Sequence, residues 1–131
     1  MSAKVPKEAH DLWAKTFNAG DLEGLVALYE EDALFMPQPG QTVSGRDAIR
    51  EALKGWLALK LQSDLHFQLA LENGDIALLY SSWTLSGTGP DGKPMSMSGQ
   101  TSDVVRRQAD GSWLFAIDNP FGGKGAEPSA S

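Results

Sequence analysis

In the stretch SWLFAIDNPFGG, Ser112 to Gly123, aromatic and branched residues read as a buried strand up to Ile117, and a carboxylate, Asp118, then interrupts it. A carboxyl at that position can serve as a general acid, a base or a hydrogen-bond donor. Followed by Asn119-Pro120, it can equally close the strand as an Asx-type turn. His10 and His66 belong to no His/Cys/carboxylate spacing of the H-E-x-x-H kind, so they read as surface or satisfied residues, and no metal site is expected. There is no Cys nucleophile and no G-x-S-x-G, and GTGPDG joins two strands instead of opening a helix, which removes phosphate cradling. Nothing calls for a redox cofactor, and none is expected. Trp13, Trp56 and Trp83, with Met36, Met95 and Met97, suit core filling as well as the walls of an apolar ligand pocket.

The elements that must position these residues run helices first and strands after. Ala9, Leu12, Trp13 and Phe17 share a helical face between Pro6 and Gly20, predicting a helix over about residues 6–18. Asp21 is placed to cap a second, short helix whose stripe of Leu22, Leu25, Val26, Leu28 and Tyr29 ends at Glu30-Glu31-Asp32. ALFMPQPGQTVSG reads as a short extended piece and a loop. Ser44 or Asp47 starts a third helix carrying Ala48, Ile49, Ala52, Leu53, Trp56 and Leu57, with Arg46 and Arg50 expected to pair with acidic residues on its solvated face.

From Leu61 the period becomes two. Leu65, Phe67, Leu69 and Leu71 alternate with polar or small residues, the Asn-Gly of ENGD turns the chain, and strands are expected over 76–87, 94–107 and 113–119. Four strands in a meander after three helices predict an antiparallel sheet packed on helices, an α+β domain spanning 1–123. The segment 124–131 is small and polar and is expected to be a mobile, dispensable tail.

Composition narrows the partners. With 11 Lys plus Arg against 17 Asp plus Glu, a formal charge of -6, and no basic run longer than Arg106-Arg107, neither nucleic acid nor an anionic membrane is an expected partner. No segment approaches the roughly 20 apolar residues needed to span a bilayer. MSAKVPKEAH lacks an apolar signal core, and a cytoplasmic, soluble protein is the expectation.

Three blocks, NAGDLEGLVALYEEDALFMPQPG, VSGRDAIREAL and DVVRRQADGSWLFAIDNPFG, resemble the SnoaL-like group, in particular its SgcJ/EcaC-type members, within the superfamily shared by nuclear transport factor two and the bacterial steroid isomerases. The resemblance runs from about Val5 to Gly123. It implies a cone: a curved sheet wrapped around the helices, open at one end, often in a homodimer. It is weak for function, because members include isomerases, cyclases, hydrolases, transport factors and oligomerisation domains.

Steroid isomerases use a carboxylate base and two hydrogen-bond donors, a Tyr and a neutral Asp. Laid on that pattern, Trp13 falls where the Tyr sits, Met36 or Pro37 where the base sits, and Asp103 in TSDVV matches the second donor. One of three roles is filled. The same alignment puts Trp83, Asp103 and Asp118 on the pocket side of their strands, with Leu114 and Ala116 beside Asp118, and Met95 and Met97 on the face of Asp103 if no bulge intervenes. Periodicity alone favours the opposite side of the last strand, because Trp113, Phe115 and Ile117 are its larger apolar set. Burial of that set in a homodimer would reconcile the two.

The expected function is therefore binding of an apolar small molecule, with cofactor-independent isomerase or cyclase chemistry by proton transfer as the enzymatic form and a non-catalytic binding or dimeric interaction module as the alternative. Asp103 and Asp118 are the candidate catalytic residues. Trp13, Phe17, Met36, Trp56, Trp83 and Met97 are the candidate ligand-binding walls.

Overall fold

Helix α1 (Pro6–Asn18) begins at a proline whose missing N–H costs nothing in a first turn, and the Glu8 carboxylate accepts from the backbone N–H groups of Lys4 and Val5. It buries Pro6, Ala9, His10, Trp13 and Phe17. Helix α2 (Leu22–Val26) is capped by Asp21, which accepts from the Gly24 N–H at 3.0 Å. It ends sooner than its apolar stripe suggests. Tyr29 instead opens strand β1 (Tyr29–Gln38), because the Leu28 carbonyl accepts from the Phe115 N–H at 2.8 Å and the sheet ladder overrides local helical preference. Strand β2 (Gln41–Ser44) folds back on β1, so the expected loop is a hairpin turning at Gly40. Helix α3 (Arg46–Ala58) follows.

Strands β3 (Gln62–Asn73), β4 (Ile76–Thr88), β5 (Pro94–Gln100), β6 (Asp103–Arg107) and β7 (Trp113–Asp118) complete the chain in a computed structural model that describes residues 2–123. The tail expected at 124–131 lies outside the described residues. The seven-stranded sheet runs β2-β1-β7-β6-β4-β3, with β5 also on β4 and β1 parallel to β7. The expected strand 94–107 is two strands, because β4 pairs β6 along Ile76–Leu79 and β5 along Ser82–Thr88. The step between them is Thr101-Ser102, where Thr101 donates its N–H to Ser81 O and accepts the Ser81 N–H at Oγ1.

Two bulges redirect side chains. Val104 and Val105 oppose Ile117 and Phe115, leaving Ala116 as an extra residue in β7. Trp113 and Phe115 therefore face inward, and so does Asp118, while Ile117 faces out. The expectation that Leu114 shares the Asp118 face is corrected, since it lies between the inward Trp113 and Phe115, as is the burial of Trp113 and Phe115 in a dimer: both are buried within the chain. In β3 the shift between Phe67 and Leu69 has the same effect. Leu65 and Phe67 face the helices, with Lys7 over the Phe67 ring, whereas Leu69 and Leu71 lie on the outer face and are exposed.

Candidate functional site

Helices α1 and α3 and the inner faces of β1, β3, β4, β6 and β7 enclose a narrow cavity: of about 420 Å³ of empty space, mouth included, only about 30 Å³ admits the centre of a water molecule. Trp13, Phe35, Trp56, Trp83 and Phe115 supply its aromatic wall. The rings lean on one another: Phe35 meets Trp56 edge-on at 5.8 Å and Trp56 meets Trp83 at 6.4 Å between centroids. The Trp83 indole N–H donates to the Pro120 carbonyl at 2.6 Å, tying the wall to the end of β7. Five polar residues reach this apolar space: His10, Ser63, Thr101, Asp103 and Asp118.

Hydrogen bonds join His10, Asp103 and Asp118 and their neighbours into two short chains that meet where Asp118 faces Asp103. The Trp13 indole N–H donates to the Tyr29 hydroxyl at 2.9 Å, and that hydroxyl donates to Asp118 Oδ2. Asp103 is the neighbouring carboxyl, and its charge raises the Asp118 pKa. Asp103 Oδ2 is 2.6 Å from His10 Nε2, and His10 Nδ1 is 2.6 Å from Ser81 Oγ. Asp103 Oδ1 accepts the Asn119 N–H at 2.7 Å. Both ring nitrogens of His10 are therefore occupied, and which of them donates depends on the tautomer.

Burial is the first cause of the electrostatics here. Asp118 is only 6% exposed, and its carboxyl is held well above the usual range by desolvation and then by the neighbouring Asp103 charge, against an opposing donation from Tyr29. Desolvation and the Asp118 charge also push the Tyr29 hydroxyl up, so it stays a donor. The site therefore sets a buried carboxyl that holds its proton more tightly than a free aspartate next to the Asp103–His10 hydrogen bond.

The structure brings Trp13, Trp56, Trp83, Asp103 and Asp118 together in this cavity. The other three candidate walls lie elsewhere. Phe17 stacks on Trp13 at 4.9 Å and takes no part in the lining, Met36 is a half-buried residue of β1, and Met97 is a half-buried residue of β5 opposite Leu85. The Asx turn belongs to Asn119, whose Oδ1 accepts from the Phe121 N–H. Arg50 pairs with Glu23 and Asp47, but Arg46 donates to the Tyr29 carbonyl, because α3 starts over the first residue of β1.

Three of the polar residues, His10, Tyr29 and Ser63, are not among the candidates read from the sequence. His10 is buried because it shares the α1 stripe with Pro6, Trp13 and Phe17, a placement the helical spacing already carries. Tyr29 sits at the end of a helical stripe, and Ser63 carries no pattern at all. Among the described residues no group of three or more His, Cys, Asp or Glu is placed to hold a metal, and no helix is long and apolar enough to cross a membrane.

A helix-backed, curved sheet around inward polar chains is the cone of the nuclear transport factor and steroid isomerase superfamily. The family model for the SnoaL-like domain matches residues 10–115, and the chain belongs to that family. Similar solved structures include a ketosteroid isomerase-like protein from Erwinia carotovora atroseptica SCRI1043, with a TM-score of 0.76 at 20% identity, covering 86% of this chain and 88% of that one. A second is an NTF-2 like protein of unknown function from Shewanella oneidensis MR-1, with a TM-score of 0.72 at 16% identity, covering 86% and 92%. At such identities the likeness is one of fold. No curated protein matches the chain by sequence.

Proposed function

We propose that the cavity binds an apolar, carbonyl-bearing small molecule and moves a proton on it, as a cofactor-independent isomerase or cyclase does. The observation that carries this reading is the buried Asp118 carboxyl, its pKa raised, set beside the Asp103–His10 pair within an aromatic wall. Asp118 is the donor to a substrate oxygen on which negative charge develops. Asp103, backed by His10 and Ser81, is the group that takes up the displaced proton. Tyr29, which does not line the cavity, positions the Asp118 carboxyl, and Trp13 holds the Tyr29 hydroxyl while forming part of the wall. The acidic, cysteine-free composition suits a cytoplasmic setting.

The test is solvent deuterium exchange at the α-carbons of a panel of apolar cyclic ketones, followed by mass spectrometry. Exchange above the buffer rate with the native chain, abolished by Asp118→Asn, is the expected result. Ketones that bind without exchanging would favour a second reading, binding without turnover. That reading draws on the two protein hydrogen bonds already made by the Asp103 oxygens. Absence of both binding and exchange overturns the proposal.

A second copy of the chain is the proposed macromolecular partner. Leu71, Leu78, Val104, Ile117 and Leu34 are successive register partners across β3, β4, β6, β7 and β1 and form one apolar row on the outer sheet face. Leu71 is 52% exposed within the single chain. A self-complementary face of this kind suits a two-fold dimer.

A further inference from the structure

The hydrogen-bonded chains at one end of the cavity leave one polar group at the other end without a role. Ser63 lines the cavity, is 7% exposed, and its Oγ is the one buried side-chain polar atom among the described residues with no hydrogen-bond partner. An unpaired buried hydroxyl costs folding free energy, which native proteins rarely leave uncompensated. The backbone there cannot shift to hide it. Asn18, at the end of α1, donates Nδ2–H to the Ser63 carbonyl at 2.9 Å and accepts the Ser63 N–H at 2.6 Å, clamping this edge-strand residue on the side away from β4. The cavity-lining residues next to it on the sheet, Leu65 two positions along β3 and its register partner Leu85 on β4, are apolar.

Ser63 and the acid end are separated along the sheet. Ser63 is opposite Leu85 and Asp103 is opposite Leu79, six residues apart on β4. That is at most about 20 Å of strand, and less across the concave face. We infer that Ser63 is a ligand-anchoring residue and that the molecule bound here is an elongated apolar one carrying two oxygen functions, one meeting Asp118 and one, a hydroxyl or carbonyl, meeting the Ser63 hydroxyl. This inference rests on the proposed pocket reading and adds to it the polarity of the far end of the ligand. The rigid clamp on Ser63 and the free hydroxyl together are what a preorganised specificity contact requires: position fixed by the protein, hydrogen bonds kept for the guest.

The experiment uses two pairs of rigid probes of different length, naphthol against the naphthalenediol with a hydroxyl at each end, and hydroxybiphenyl against the biphenyldiol with a hydroxyl at each end. Binding to the native chain and to Ser63→Ala is measured by titration calorimetry, and stability of both by urea denaturation. At least one diol is expected to bind about 3- to 10-fold more tightly than its one-hydroxyl partner. Ser63→Ala should abolish that advantage while changing the affinity of the one-hydroxyl probes by less than about twofold and leaving the unliganded chain as stable as before or more so.

Equal binding of both members of each pair, or an advantage that survives Ser63→Ala, overturns the inference and leaves the pocket reading standing. A loss of stability on Ser63→Ala also overturns it, since the hydroxyl would then be satisfied within the fold or by water alone. If no probe binds the native chain, the pocket reading fails and takes the inference with it.

Discussion

Gly99 lies directly against the indole of Trp83: the two are register partners across β4 and β5, and a Cβ added at Gly99 would stand 2.7 Å from Trp83 Cζ2. The indole cannot swing aside without losing its hydrogen bond to the Pro120 carbonyl. Gly99→Ala is therefore expected to cost about 1–3 kcal/mol through overpacking. Urea denaturation reads the loss, and a changed near-ultraviolet circular dichroism spectrum with the far-ultraviolet spectrum intact reads the displaced tryptophan. An unchanged spectrum and stability would show that the wall yields.

Asp118 ties stability to pH. Its carboxyl is held well above 3.8 in the folded chain, so the fold binds this proton more tightly than the unfolded chain does. The resulting stabilisation is complete below the unfolded carboxyl pKa, about 3.9, and is lost as pH rises through the raised value, every tenfold gain in proton affinity being worth about 1.4 kcal/mol. Asp118→Asn, a neutral isostere of the protonated acid, should remove that decline. Melting temperatures of both chains across the pH range decide it: parallel curves would mean that Asp118 titrates as an ordinary carboxylate.

Tyr29→Phe removes the hydroxyl that receives the Trp13 N–H and donates to Asp118. A buried donor then lacks a partner, at a cost of about 1–3 kcal/mol. Because the hydroxyl works to lower the Asp118 pKa, its loss should also move the pH-dependent decline in stability to higher pH. A stability loss with no such displacement would separate the two residues electrostatically.

The outer apolar row predicts a dimer at micromolar concentration. Ile117→Lys, placed in the middle of the row between Leu34 and Val104, should yield a folded monomer by light scattering. A native chain that scatters as a monomer would remove the second copy as a partner.

Helix α1, its bounds included, is legible in the sequence, because proline, spacing and a terminal Asn-Ala-Gly all agree. The α+β class follows from the change of period at Leu61. Hidden from spacing are the extra residue at Ala116 and the shift after Phe67. A strand with strict alternation can put either Phe115 or Asp118 inside, never both, and only the pairing with β6 supplies the register slip that does so. Tyr29 is obscured for a related reason. Its neighbours Leu25, Val26 and Leu28 continue a helical stripe, and the bond from Phe115 that draws residue 28 into the sheet comes from the far end of the chain. Asp103 is visible through family resemblance, and Ser63 is invisible to any pattern, because its distinction is a missing partner.

The bonds of the polar chains join residues far apart in sequence: His10 to Ser81 across 71 positions, Tyr29 to Asp118 across 89, and His10 to Asp103 across 93. Contacts of such separation form late, since the entropy of closing the intervening chain must be met before they contribute. The β1–β7 pairing that sets Phe35 opposite Asp118 is of the same long-range kind. A chain caught partway through folding can hold α1 and the β3–β4 hairpin yet possess no buried acid. The raised proton affinity of Asp118 therefore marks completed closure, and a guest in the cavity, by binding only closed chains, would stabilise the seam between the two ends of the sequence above every other part of the molecule.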